Sequence, residues 1–298
     1  MQWDKLGLIF DVDKKNDWMY SHAALPIAKQ IKGDLYRIFF SVRDMSNRSH
    51  GAFVDMDITN PTKQLNISET PTLNPGQRGL FDDSGVSLSC YVDALNLMYY
   101  LGWNLPKTVP FSNQIGAAKM DKTYQFEKIS RVPIVSKCNE EPFSYGYPWV
   151  LKVNGIYKMW YDTNLSWNEN SFKKTKFILR YAESENGIDW DKKYINCIML
   201  SKNERYISRP CVLIEDDVYK MWYCVNVECR YKLGYAESTD GRQWVRMDNQ
   251  VGISTSKTGW DSDEICYPYV FDHKGERYML YNGNGYGKTG FGLARLIK

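Results

Sequence analysis

The sequence predicts an all-β fold, a β-propeller of five four-stranded blades. Three observations predict it: an aromatic pentapeptide written twice, strand starts at a near-constant period, and no helical apolar spacing. YKMWY stands at Tyr157 to Tyr161 and again at Tyr219 to Tyr223. Its surroundings repeat too, YGYPWVLKVNGIYKMWYD against YISRPCVLIEDDVYKMWYC, then FILRYAESENGIDWDKK against YKLGYAESTDGRQWVRM. Self-similarity at a long period marks a repeat architecture.

Extended along the chain, this template puts strand starts at Pro26, Ser89, Pro148, Pro210 and Pro268, spaced by 63, 59, 62 and 58 residues. An aromatic alternating strand follows each: YRIFFS, LNLMYYLGW, the two YKMWY strands and RYMLYNG. Third strands rich in small residues come next, SHGAFVDMD, NQIGAAKMD, ILRYAES, KLGYAES and TGFGLAR. Alternation bounded by Asn, Asp and Gly is the half-buried strand signal. SENGIDW and STDGRQW put Asn-Gly and Asp-Gly before the fourth strand, where a tight turn needs positive φ. No stretch sustains i, i+3, i+4, i+7 apolar spacing with a cap.

The fifth unit runs out after its third strand, while QWDKLGLIF resembles the fourth-strand segment DWDKKYINCIM. Trp3 to Phe10 is therefore expected to supply the missing outer strand and close the ring, with residues 1–298 forming one domain. Such closure leaves only short protected edges. A β-sandwich with loops is the alternative.

A net charge of +3 without a Lys/Arg run argues against nucleic acid as a partner. No segment reads as a leader or a membrane span, so a cytoplasmic location without membrane insertion is expected. Seven cysteines contain no C-x-x-C pair and read as free thiols. His22, His50 and His273 offer no zinc-ligand spacing. No cofactor is expected, although a structural calcium held by carbonyls and carboxylates in the channel is compatible with the sequence. NGNGYGKTGFG from Asn282 has the glycine spacing of a dinucleotide fingerprint, but without a following helix it reads as a Gly-rich hairpin.

Chemistry in a propeller sits where the innermost strands begin. Just before the five strand starts lie Asp82, Asp83, Glu140, Glu141, Glu204, Asp261, Asp263 and Glu264, with His22 at the corresponding place in the first unit. Two carboxylates facing each other across a funnel are what glycosidic cleavage needs, and neighbouring carboxylates split their pKa values into an acid and a base. Each could equally cap a turn or pair with a cation. Arg43 and Arg209 are suited to a phosphate or carboxylate of the ligand. His22, Asp82, Tyr147, Trp260 and Asp261 complete the expected binding set, and Trp103, Trp167 and Trp260 are candidate stacking platforms.

YPWVLKVNGIYKMWYD, AESENGIDW, SRPCVL and AESTDGRQW resemble the five-bladed β-propeller glycosidase superfamily of arabinanases, invertases, levansucrases and mannoside phosphorylases. More narrowly, SHAALP, FSVRDMSNRS, FDDSGV, NQIGAA, GWDSDEICYPYV and MLYNGNGYGKTGFGLA are similar to glycosidase-like proteins encoded among bacterial surface-polysaccharide biosynthesis genes. The resemblance implies an enzyme that cleaves or transfers a glycosyl unit, with a sugar, oligosaccharide or sugar phosphate as ligand. In arabinanase-like and invertase-like members a catalytic Asp precedes the first blade's proline, where this chain has Leu25. Leu88, Tyr147, Arg209 and Tyr267 hold the equivalent places, so the expected acid and base are displaced, to Asp83 and Glu264. The alternative is a sugar-binding or assembly propeller without the chemistry.

Overall fold

The computed structural model describes residues 1–167 and 175–297. The described strands fall into antiparallel fours. The first group is β2 (Ser21–Lys32), β3 (Leu35–Arg43), β4 (Ser49–Asp57) and β5 (Gln64–Ile67). The second is β6 (Gly85–Val92), β7 (Leu97–Asn104), β8 (Ser112–Met120) and β9 (Phe126–Lys128). The third is β10 (Tyr145–Val153), β11 (Ile156–Ser166), β12 (Lys176–Ser184) and β13 (Asp191–Ile198). The fourth is β14 (Glu204–Glu215), β15 (Val218–Val227), β16 (Arg230–Ser238) and β17 (Val245–Arg246). β18 (Cys266–His273), β19 (Glu276–Asn282) and β20 (Phe291–Ile297) form the fifth, completed by β1 (Gln2–Phe10), which pairs antiparallel with β20 from Gln2↔Ile297 to Phe10↔Phe291. Along the chain the first strands touch in order, β2 with β6, β6 with β10, β10 with β14 and β14 with β18; β18 in turn touches β2.

The expected strand starts are displaced. Pro26, Pro148, Pro210 and Pro268 lie inside their strands, at register shifts between Ala24 and Ile27, Gly146 and Trp149, Ser208 and Cys211, and Cys266 and Tyr269. A proline has no N–H for the ladder, so within a strand it is tolerated at a bulge. The residue before each proline takes the left-handed region: φ is 59° at Leu25, 43° at Tyr147, 51° at Arg209 and 55° at Tyr267. Large side chains rarely accept such angles.

The YKMWY strands pack as their alternation requires. Tyr157, Met159, Trp160 and Tyr161 are buried, as are Tyr219, Met221, Trp222 and Tyr223. Their polar handles join one group to the next. Tyr99 Oη donates to the Gly187 carbonyl at 2.6 Å and Trp160 Nε1 to that of Gly241 at 2.7 Å, each in the glycine turn of the following group. Trp222 occupies the same position in the fourth group, but its indole N–H is buried without a hydrogen-bond partner among the described residues. It packs edge-on against Trp3, which donates to Val251 at 2.9 Å.

In the second to fifth groups the last tyrosine of the second strand meets a carboxylate and a cation from the outer strand. Tyr100 donates to Asp82 at 3.0 Å, and Lys128 of β9 pairs with the same carboxylate at 2.6 Å. Tyr161 donates to Glu141 at 3.0 Å, with Lys192 of β13 at 3.2 Å and Arg180 at 3.0 Å. Tyr223 meets Asp248 and Arg246 of β17, and Tyr281 meets Asp261 at 3.1 Å with Lys5 of β1 at 2.6 Å. The first group has Phe40 at this place. These clusters correct the expectation that Asp82 and Asp261 line a funnel: both are paired within their own group.

Several thiols act between groups. The backbone N–H of Val150 donates to Cys90 Sγ, that of Val270 to Cys211 Sγ at 3.1 Å and that of Tyr267 to Cys224 Sγ at 2.9 Å. Burial pushes the Cys90 thiol up to about 11 and those of Cys211 and Cys224 to about 12, so they stay protonated. Cys229, in contrast with the buried majority, is exposed.

Removing one partner of a buried charge cluster leaves the others uncompensated. Glu141→Ala strands Tyr161, Arg180 and Lys192 and should lower stability by about 3–5 kcal/mol in urea unfolding. A loss under about 1 kcal/mol, the level of exposed ion pairs, would show that these clusters do not clamp the groups.

Candidate active site

A cavity of about 420 Å³ lies where the five first strands begin, and every group contributes to its wall. Arg43 comes from the first group, Ser87 and Trp103 from the second, and Tyr147, Asp162 and Phe177 from the third. The fourth gives Tyr206, Ser208 and Tyr231, and the fifth Tyr267 and Tyr286. Tyr147 and Tyr267, both left-handed residues at the bulges, meet ring to ring at 5.5 Å. The repeated backbone distortion thus places two rings of the wall. Trp103 lines the cavity, and Trp167 stands edge-on at 5.1 Å to the lining ring of Phe111.

Tyrosines aside, the ionisable groups of the wall are Arg43 and Asp162. Arg43 donates to Asn47 Oδ1 at 2.7 Å and lies 5.9 Å from the Trp103 ring centre. Its neighbour Asp44 is taken by Arg48 and His50, and among the described residues no carboxylate pairs with Arg43. Asp162 is 3% exposed, and among the described residues no hydrogen bond or ion pair reaches its carboxyl. Desolvation pushes it up to about 8, so it carries its proton at neutral pH. Gly146 makes room for it, since a Cβ there would stand 2.7 Å from its Oδ1.

The expected site residues are only partly brought together. Arg43 and Tyr147 are in the wall. His22 lies near Arg43 and Lys288, and burial followed by those two charges lowers its pKa to about 4, so it is neutral. Asp83 and Glu264 do not face each other across the cavity. Asp83 caps a turn, accepting from the Gly79 N–H at 2.8 Å and the Ser84 hydroxyl at 3.0 Å. Glu264 accepts three backbone N–H groups, of Tyr231 at 3.0 Å, Gly285 at 2.9 Å and Tyr286 at 3.2 Å. Gly285 and Tyr286 both have positive φ, forming a nest of successive N–H groups. The turn with the dinucleotide-like glycine spacing therefore receives an internal carboxylate, which fixes two rings of the cavity wall. Trp260 packs on Tyr281 at 5.2 Å rather than lining the cavity. Arg209 is fully buried outside the lining.

Asp162 was not among the expected residues. The signal was available, because YKMWYD and YKMWYC first diverge there, at Asp162 against Cys224. Among the described residues no group of three or more His, Cys, Asp or Glu side chains is placed to hold a metal, and no helix is long and apolar enough to cross a membrane.

The all-β chain with a ring-lined cavity at its strand starts shares its fold with solved glycoside hydrolases. It superposes on a solved glycoside hydrolase with TM-score 0.74 and 16% identity, covering 98% of this chain and 90% of that one. A thermostable family-43 glycoside hydrolase matches at TM-score 0.66 and 13% identity, over 95% of this chain and 92% of that one. Such identities speak to fold and leave activity to the site. No protein-family model matches the sequence. The chain is 45% identical over 299 residues to "Uncharacterized protein MT1551" and "Uncharacterized protein Rv1502" of Mycobacterium tuberculosis, covering 99% of each, and it belongs to their family.

The raised Asp162 pKa has a signed consequence for stability. Between its ordinary value of 3.8 and about 8 the folded state holds a proton that the unfolded state has lost, so this residue lowers stability as pH rises through that window. Asp162→Asn should therefore gain stability relative to the wild type from pH 4 to pH 8. A difference independent of pH in parallel urea titrations would show that Asp162 ionises normally.

Proposed function

We propose that this is a carbohydrate-active protein of the glycosidase-like group associated with bacterial surface polysaccharides, working as a single five-bladed propeller closed by β1. The cyclic contacts of the first strands and the β1–β20 pairing support that architecture. The observation that carries the functional reading is a buried carboxyl without a hydrogen-bond partner among the described residues, Asp162, in a cavity walled by aromatic rings. Rings present flat apolar faces of the kind that cover the C–H faces of sugars. An acid whose pKa is lifted toward neutrality is suited to protonate a leaving glycosidic oxygen. Arg43, the ionised partner in the same wall, offers a guanidinium fork to a phosphate or carboxylate on the ligand. Glu264 acts as a positioning residue for Tyr231 and Tyr286.

A second reading, binding without turnover, is favoured by one fact: the described lining holds one carboxyl side chain, whereas hydrolysis by paired carboxylates needs two. A panel of nucleotide sugars, sugar phosphates and short oligosaccharides, followed by calorimetry and product analysis, separates the two. Asp162→Asn should lower turnover by about 10²–10⁴-fold with binding retained, and Arg43→Ala should weaken charged ligands more than neutral ones. Tight binding by the wild type with no product would support the binding reading.

A further inference from the structure

Arg209 is the largest charge problem in the molecule. Its side chain is 0% exposed, and Nε, Nη1 and Nη2 are all buried without a hydrogen-bond partner. No carboxylate pairs with it among the described residues, and its guanidinium lies 5.9 Å from the centre of the Trp149 ring. A guanidinium does not escape by losing its proton, and an isolated buried cation is heavily penalised.

Among the described residues no acidic side chain forms an ion pair with Arg209. Arg209 is felt electrostatically by Cys90, Cys211, Cys224 and Tyr269, which belong to the second, fourth and fifth groups. Desolvation keeps each of these groups in its neutral form, outweighing the pull of Arg209. Of the two buried carboxyl groups that act on Cys224 beside Arg209, Asp162 is uncharged and Glu264 is engaged by three backbone N–H groups. The bulge between Ser208 and Cys211 holds Arg209 at a positive φ, so its position is imposed by the backbone rather than by a partner.

We propose that Arg209 is the core of a resident anion site between the first strands, taking a small monovalent inorganic anion of halide size. Planar N–H donors at full charge in an apolar, ring-and-thiol environment match a compact, weakly hydrated anion. The site is distinct from the sugar cavity, whose lining includes Ser208 and not Arg209. It also does not depend on which ligand that cavity takes.

Crystals of the wild type grown in bromide should show an anomalous peak against the Arg209 guanidinium. In gluconate buffer at fixed ionic strength, bromide or chloride should raise the melting midpoint with the logarithm of its concentration, by about 4 °C at a hundredfold excess over the dissociation constant. Arg209→Met should abolish that dependence. If the variant does not fold, the wild-type halide titration and the bromide map decide. A map with only water at the guanidinium, or a melting midpoint indifferent to halide, overturns the proposal; loss of sugar binding alone leaves these readouts unchanged.

Discussion

Charge does not survive unpaired in a protein interior, and the arrangement of this molecule follows from how it meets that constraint. Three of its buried carboxylates, Asp82, Glu141 and Asp261, are met by a tyrosine from the second strand and a cation from the outer strand, and half-buried Asp248 is met in the same way. Each such cluster spans its group from inside to outside and ties the short outer strand to the sheet. Glu264 is met instead by backbone N–H groups, and Asp162 by keeping its proton. Outer strands as short as Phe126–Lys128 and Val245–Arg246 have few ladder bonds of their own. The ion clusters and the packing beneath them do most to hold those strands in place.

The second determinant is the repeated bulge. A proline without an N–H breaks the ladder of the first strand, and the residue before it takes the left-handed region. Strain of this kind tends to gather where a protein does its work. Here it sets two tyrosines at the cavity wall, while Gly146 beside one of them leaves space for the Asp162 carboxyl. Backbone geometry and site chemistry are therefore produced by the same few residues.

Most of the strand order was legible from the chain. The doubled YKMWY, the Asn-Gly and Asp-Gly turns and the likeness of QWDKLGLIF to DWDKKYINCIM all correspond to elements that form, including the pairing of β1 with β20. The placing of charge was less legible. Asp82 and Asp261 were expected in a funnel because they precede first strands, but adjacency in sequence does not fix side-chain direction. Their partners lie 18 and 20 residues on, at Tyr100 and Tyr281, and the decisive cation of the fifth group, Lys5, lies at the other end of the chain. Asp162 stands at the point where two near-identical repeats part, opposite Cys224, but a single divergent residue carries no sequence signal of burial without a partner.

At four of the bulges the residue before the proline keeps the same left-handed backbone while its side chain changes, Leu25, Tyr147, Arg209 and Tyr267, whereas Leu88 in the second group stays paired with Tyr100. The scaffold and the chemistry are thus inherited separately. A lineage can exchange one of these residues, and with it the polarity or size of the central surface, while the tyrosine clusters that hold each sheet together are left as they were. Such a frame permits selectivity to drift by single substitutions among descendants whose folds stay superposable.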